Sequence, residues 1–283
     1  MVQTYKKRIF VETEYIGANV SCISTKKGLV LIDSPFLPRD AEDWARRIRE
    51  LTGQNIAYLI NTDHHFDHVM GNAVLTDNVI CHSTAAKGIN FLRNKQALKK
   101  MVQGAFPDVL ADIESDIDNL NIVSPLITFD KKLTLDMGDA TIILEFGAGH
   151  SPGTILIYLV EDQAVFTGDT VEAQFPYFGQ ARFSAWKETL RKILLMDIEV
   201  VVPGHGPVGG KEIVEKYSSF FQDLEDEVKD FELKGLTIEQ MVKESRVINF
   251  FPNDEIAKEG LAQSWIGEQY KSAVRVILAE NKN

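Results

Sequence analysis

The sequence predicts an α/β fold with a helical insertion and a helical C-terminal extension, and three observations carry that prediction. Short apolar runs of β type recur up to about residue 210, several ending in loops rich in His, Asp and Gly. Between Ser83 and Asn121 that rhythm gives way to a helical one. Beyond Lys211, the residues Val214, Tyr217, Phe221, Leu224, Val228 and Phe231 alternate spacings of three and four, which is a helical seam.

Taken in order, Lys7–Thr13 and Asn19–Ser34 read as β-structure, the second folded back at Thr25-Lys26-Lys27-Gly28, where glycine accepts a positive φ. Asp40–Leu51 reads as a helix capped by Asp40, with Trp44, Ile48 and Leu51 on its packed face and Gly53 beyond its end. Ile56–Ile60 is apolar without alternation, as expected of a strand covered on both faces. A short helix is expected over Val69–Leu75 and a strand over Val79–His82. Residues 83–121 read as two helices separated at Gly104-Ala105-Phe106-Pro107, with Leu110, Ile113, Ile117 and Leu120 as the stripe of the second. Strands resume with Thr141–Phe146, Thr154–Val160 and Gln163–Thr167, followed by a helix over Trp186–Met196 and a strand over Glu199–Val202. Asn253 is the expected cap of a last helix carrying Ile256, Leu261, Trp265, Val274 and Ile277. Two units follow from this reading, a sandwich over 1–210 with the insertion at about 83–121 and a helical extension over 211–283.

The chemistry is expected at Asn61-Thr62-Asp63-His64-His65-Phe66-Asp67-His68, directly after an apolar strand. Three of the six histidines of the chain fall there. A dense set of imidazoles and carboxylates is costly to bury unless a cation neutralises it, and these are the ligands that zinc, manganese and ferrous iron accept. In an extended chain Asp63 and His65 share one side, which leaves His64 pointing away. His150 in Gly149-His150-Ser151-Pro152-Gly153, Asp169 in Gly168-Asp169-Thr170 and His205 in Pro203-Gly204-His205-Gly206 each follow a β-type run, so four strand-end loops converge.

This ordered pattern resembles the metallo-β-lactamase-fold hydrolase superfamily, in which His-x-His-x-Asp-His is followed by a His, an Asp and a His. The resemblance covers roughly Phe10 to Gly210 and implies a four-layer αβ/βα sandwich. It also implies two divalent metal ions, zinc favoured, with manganese or iron as alternatives. His65 and His150 would help hold the first ion, Asp67, His68 and His205 the second, and Asp169 would bridge both. One position departs from the pattern, since Asp63 stands where the family most often has its first His. Asp33, at the end of Gly28–Ile32, resembles the position that braces the metal loop, and the insertion resembles those that overhang the metals. Tyr177, in the aromatic loop after Asp169, is a candidate donor to an oxyanion or leaving group.

The implied reaction is hydrolysis of an ester, lactone, thioester, amide or phosphoester by a metal-held hydroxide, with Asp67 orienting it as the catalytic carboxylate. Two ions bring four positive charges; Asp63, Asp67, Asp169 and a hydroxide return them, so an anionic substrate gains less attraction than with a His at position 63. Two other readings stay open: a non-haem iron oxidoreductase of the persulfide dioxygenase type, and an inactive binding or scaffold member of the fold. Hydrophobic residues make up 45% of the chain, enough for a sizeable core. The formal net charge of −11 argues against a non-specific nucleic-acid grip and favours a small-molecule substrate. Two cysteines make no disulfide framework and no charged-then-apolar leader opens the chain, so a cytoplasmic location with no membrane attachment is expected. The seam of the tail is expected to pack on its own sandwich, with a homodimer or a wall of the substrate pocket as alternative uses.

Overall fold

The computed structural model describes residues 2–251 and 263–282. Seven strands form the first sheet in sequential order: β1 (Gln3–Tyr5), β2 (Ile9–Glu12), β3 (Val20–Thr25), β4 (Gly28–Ile32), β5 (Ile56–Ile60), β6 (Val79–His82) and β7 (Ile127–Phe129). The first four are antiparallel and β4 to β7 run parallel. The second sheet contains β8 (Lys132–Asp136), β9 (Thr141–Phe146), β10 (Ile155–Leu159), β11 (Ala164–Glu172) and β12 (Val200–His205), ordered β12-β11-β10-β9-β8. Within it only β11 and β12 pair in parallel, so β9, β11 and β12 all point the same way.

Alternation within covered strands builds the layers. Ile23, Val30 and Ile32 of the first sheet meet Ile142, Leu144, Ile157 and Phe166 of the second in the central core. The opposite face of the first sheet, with Cys22, Leu31 and Leu59, receives Trp44 and Ile48 of helix α1 (Pro38–Thr52). The opposite face of the second, with Leu156, Val165 and Val201, receives α7 (Phe183–Leu195), α8 (Lys211–Leu233) and the last helix, here α10 (Gln263–Glu280). The result is the four-layer αβ/βα sandwich, and the tail belongs to one of its outer layers.

Several local expectations change. Leu37, not Asp40, takes the N-cap position of α1, because Pro38 presets the first helical φ; Asp40 lies in the first turn, and Leu51 is 55% exposed. The helix expected over Val69–Leu75 is two single turns, α2 (Phe66–Val69) and α3 (Asn72–Leu75). Gly71 divides them where a Cβ would meet the Pro35 carbonyl at 2.7 Å. The insertion has three helices rather than two: α4 (Ser83–Phe91), α5 (Lys95–Ala105) and α6 (Pro107–Asn119). The additional break is Asn94, whose side chain caps α5 by accepting from the Ala97 N–H. Strands β11 and β12 run further than expected, so Asp169 and His205 lie within strands and not in the loops after them. The tail continues from α8 through α9 (Ile238–Glu244) to α10. Asn253, Ile256 and Leu261 lie outside the described residues, while Val274 and Ile277 are buried as the helical reading requires.

Candidate metal centre

Strand direction explains why distant residues meet. The carboxyl ends of β9, β11 and β12 share one edge of their sheet and deliver His150, Asp169 and His205, while the end of β5 in the other sheet delivers residues 61–68. All seven residues expected as ligands converge there. His65 Nδ1 lies 3.1 Å from His150 Nε2, and His150 Nε2 lies 3.4 Å from Asp169 Oδ2. His68 Nε2 is 3.2 Å from Asp169 Oδ2, and His205 Nε2 is 3.4 Å from Asp67 Oδ2 and 3.5 Å from Asp169 Oδ1. Ligands around tetrahedral zinc, at about 2.0–2.1 Å from the ion, stand roughly 3.3–3.4 Å apart. The donor atoms fall into two groups, Asp63, His65 and His150 in one and Asp67, His68 and His205 in another, with Asp169 close to members of both. Asp169 Oδ1 is buried and accepts no hydrogen bond, which leaves a lone pair for a cation.

The electrostatics fit the same role. Burial alone would raise the Asp169 carboxyl, but the imidazoles of His68 and His205 outweigh it and hold it below its ordinary value. Burial lowers His150 to about 4, so its ring is neutral with a lone pair free. For His68 burial works downward, and Asp169 and Asp33 overcome it to raise the ring well above its usual range in the metal-free chain.

Asp33 braces the loop. It takes a left-handed φ of 55°, which aspartate tolerates, and accepts from the Thr62 N–H (2.8 Å), the Thr62 hydroxyl (2.6 Å) and His68 Nδ1 (2.9 Å). With Nδ1 so engaged, His68 presents Nε2 to Asp169. Asp63 is buried and its acceptor positions are used: Oδ1 accepts from the N–H groups of His64 and His65, Oδ2 from Ser151 (2.5 Å) and Thr154 (2.6 Å). Its Oδ1 nonetheless lies 3.3 Å from His65 Nδ1. His64 turns away toward Gly88 of α4, where a side chain would overlap its ring. His82 stacks on Phe146 at 4.7 Å and accepts from the Thr84 N–H, a helix cap with no part in the cluster.

A cavity of about 410 Å³ opens over the ligands. Its floor includes His65, Asp67, Asp169 and His205; Met101 and Phe106 form one wall from the insertion and Trp265 another from α10. Tyr177 lines it with its ring centroid 5.1 Å from that of His65, and burial raises its phenol, which stays a hydrogen-bond donor at neutral pH.

Glu172 is the residue that the sequence does not announce. It is 5% exposed, lines the cavity, and groups with His150 and Asp169 with all donor atoms within 4.8 Å. Burial, then the charge of Asp169, pushes its carboxyl well above the usual range in the metal-free chain. Alternation along β11 would place Glu172 opposite Asp169; a register shift between Gly168 and Glu172 turns it back. An acidic residue just after the aspartate was the only available signal.

Fold and cluster together define an αβ/βα-sandwich protein with a buried His/Asp centre suited to divalent metal ions. A family model for the metallo-beta-lactamase superfamily matches residues 16–205, and the chain belongs to that superfamily, whose members are mostly metal-dependent hydrolases. A type 2 metallo-beta-lactamase of Bacillus cereus is 23% identical over 228 residues, spanning 75% of this chain and 79% of that protein. A beta-lactamase-like protein 2 homolog of Caenorhabditis elegans is 25% identical over 211 residues, spanning 73% of this chain and 61% of that one. Among solved structures, a metallo-beta-lactamase from Pontibacter korlensis superposes with a TM-score of 0.62 at 20% identity over 78% of this chain and 98% of its own. A stereoselective inverting sec-alkylsulfatase from a Pseudomonas species reaches 0.76 at 14% identity, over 97% of this chain but 49% of its own. No described helix is long and apolar enough to cross a membrane.

Proposed function

We propose that the protein is a dinuclear metal-dependent hydrolase of a small molecule, zinc being the favoured metal. The observation that carries this reading is the spacing of the donor atoms into two groups on either side of Asp169. His65 and His150, with Asp63 beside them, would hold one ion, and Asp67, His68 and His205 the other. Bound there, the ions supply Lewis acidity toward the oxygen of a carbonyl, phosphoryl or sulfuryl group and acidify a water. Asp67, at the cavity floor, would position the attacking water and accept its proton. Tyr177 donates a hydrogen bond to the substrate oxygen on the His65 side, and Met101, Phe106 and Trp265 enclose the apolar remainder and exclude bulk solvent.

The test is elemental mass spectrometry on chain purified without chelator or affinity-tag nickel, followed by a panel of lactones, thioesters, phosphodiesters and sec-alkyl sulfates. Two zinc or manganese ions per chain and turnover abolished in Asp67→Asn support the reading. A single iron with oxygen consumption on persulfides would replace it, and a metal-free, inactive chain would leave only a binding role.

A further inference from the structure

We infer that Glu172 is an additional metal ligand, a carboxylate that completes the coordination around the ion shared by His150 and Asp169. This rests on the two-metal reading above and adds a residue that the family pattern does not contain. Three observations lead to it.

The first is placement. Glu172 closes β11 opposite His205 of β12, and the bulge before it brings its carboxylate onto the side occupied by Asp169. One of its oxygens, a ring nitrogen of His150 and an oxygen of Asp169 lie within 4.8 Å of one another, all three side chains buried. The second is its company. Tyr217 Oη donates to Oε1 at 3.3 Å and Gln174 Nε2 to Oε2 at 3.2 Å, both long contacts that leave each oxygen a free lone pair. Among the described residues no lysine or arginine forms an ion pair with it, and its two hydrogen-bond partners are uncharged. A carboxylate buried without a cation is costly, and one facing a pair of divalent ions is not.

The third is Asp63. Four donors already use both of its oxygens, which limits what it can give to the ion beside His65 and His150. A second carboxylate from the opposite sheet makes up that deficit. With Glu172 included, Asp63, Asp67, Asp169 and Glu172 balance two divalent ions before any hydroxide binds. An uncharged substrate is therefore better suited to this centre than an anionic one.

The experiment compares wild type, Glu172→Gln and Tyr217→Phe, each loaded with Co²⁺, by elemental analysis, chelator competition and visible absorption. Glutamine keeps the shape and one acceptor oxygen, for Tyr217 or Gln174, and removes the charge. The expected result is two ions in wild type, a loss of one ion in Glu172→Gln with altered cobalt bands, and both ions retained in Tyr217→Phe, with a smaller weakening because only a partner of the ligand is removed. Where the glutamine variant folds poorly, Glu172→Asp withdraws the charge by one methylene and should shift the same bands. Two ions with wild-type affinity and bands in both Glu172 variants overturn the assignment of Glu172 alone. An equal loss in Tyr217→Phe also overturns it, since packing would then explain the effect. Wild type that takes up no metal overturns this inference and the hydrolase reading together.

Discussion

Asp63 is where this chain departs from its family, and the departure has a local compensation. The hydroxyls of Ser151 and Thr154 stand 2.5 and 2.6 Å from Oδ2, on the loop that also carries His150, so the carboxylate ties the two ligand loops together. Asp63→Ala should lower metal occupancy and leave buried donors without an acceptor, at about 1–3 kcal/mol for each group left unsatisfied. Metal analysis and denaturant unfolding check this; two ions at wild-type affinity would reduce Asp63 to an anchor. Asp33→Ala acts through His68 instead. Without Asp33 the Nδ1–H of His68 and the Thr62 donors lose their acceptor, so metal affinity should fall about 10–100-fold while the ligands themselves remain. Competition with a chromophoric chelator reads the change, and unaltered affinity would remove Asp33 from the support of the site. Neither the Ser151–Asp63 nor the Thr154–Asp63 contact is legible beforehand, because they span 88 and 91 residues of sequence.

The elements that shape the cavity come from the helical insertion and from the C-terminal helices. Helix α5 contributes Met101, Phe106 follows at its end, and Trp265 arrives on α10 from the far end of the chain. Their helical character was readable from apolar spacing, and the break at Pro107 was readable from proline chemistry. The resemblance offered the insertion as overhanging the site and the tail as an alternative wall of the pocket, but which side chains line the cavity was not readable, because a helical stripe specifies a buried face without its partner. Met101→Lys and Trp265→Ala should each raise KM several-fold with little change in kcat, the signature of lost uniform binding. Steady-state kinetics on the best substrate of the panel decides it, and an unchanged KM in both variants would mean the substrate does not reach these walls.

At the scale of the molecule, the described helices of the tail share a buried core with the second sheet. Tyr217, Phe220, Phe221 and Leu224 of α8 join Trp186 of α7 and Val165 of β11 in one buried cluster. A chain ending at residue 210 would expose that face of the second sheet, a patch far larger than a soluble surface tolerates. Such a truncation should aggregate or bind a hydrophobic dye, and a monodisperse, cooperatively melting 1–210 fragment would show instead that the extension is dispensable. Trp186 links this packing to the centre, its Nε1–H donating to the Thr170 carbonyl at 2.9 Å and its ring standing 5.1 Å from that of His150.

The sequence by itself determined most of the strands and helices and the segments that carry the histidines, because apolar periodicity and strand-end motifs are local properties of the chain, and the ordered ligand pattern pointed by resemblance to the sandwich. It also pointed to a meeting of Asp67, Asp169 and His205, through the motifs that come at or near strand ends, and the resemblance added Asp33. Tertiary structure alone decided what surrounds them. Gly204 shows why: a Cβ there would overlap Asp169 Oδ1, a close approach between neighbouring strands that no spacing within either strand discloses. Glu172 shows it again, for one irregularity in the pairing of β11 with β12 reverses which face a side chain takes and turns a residue that regular alternation would point away into part of the centre.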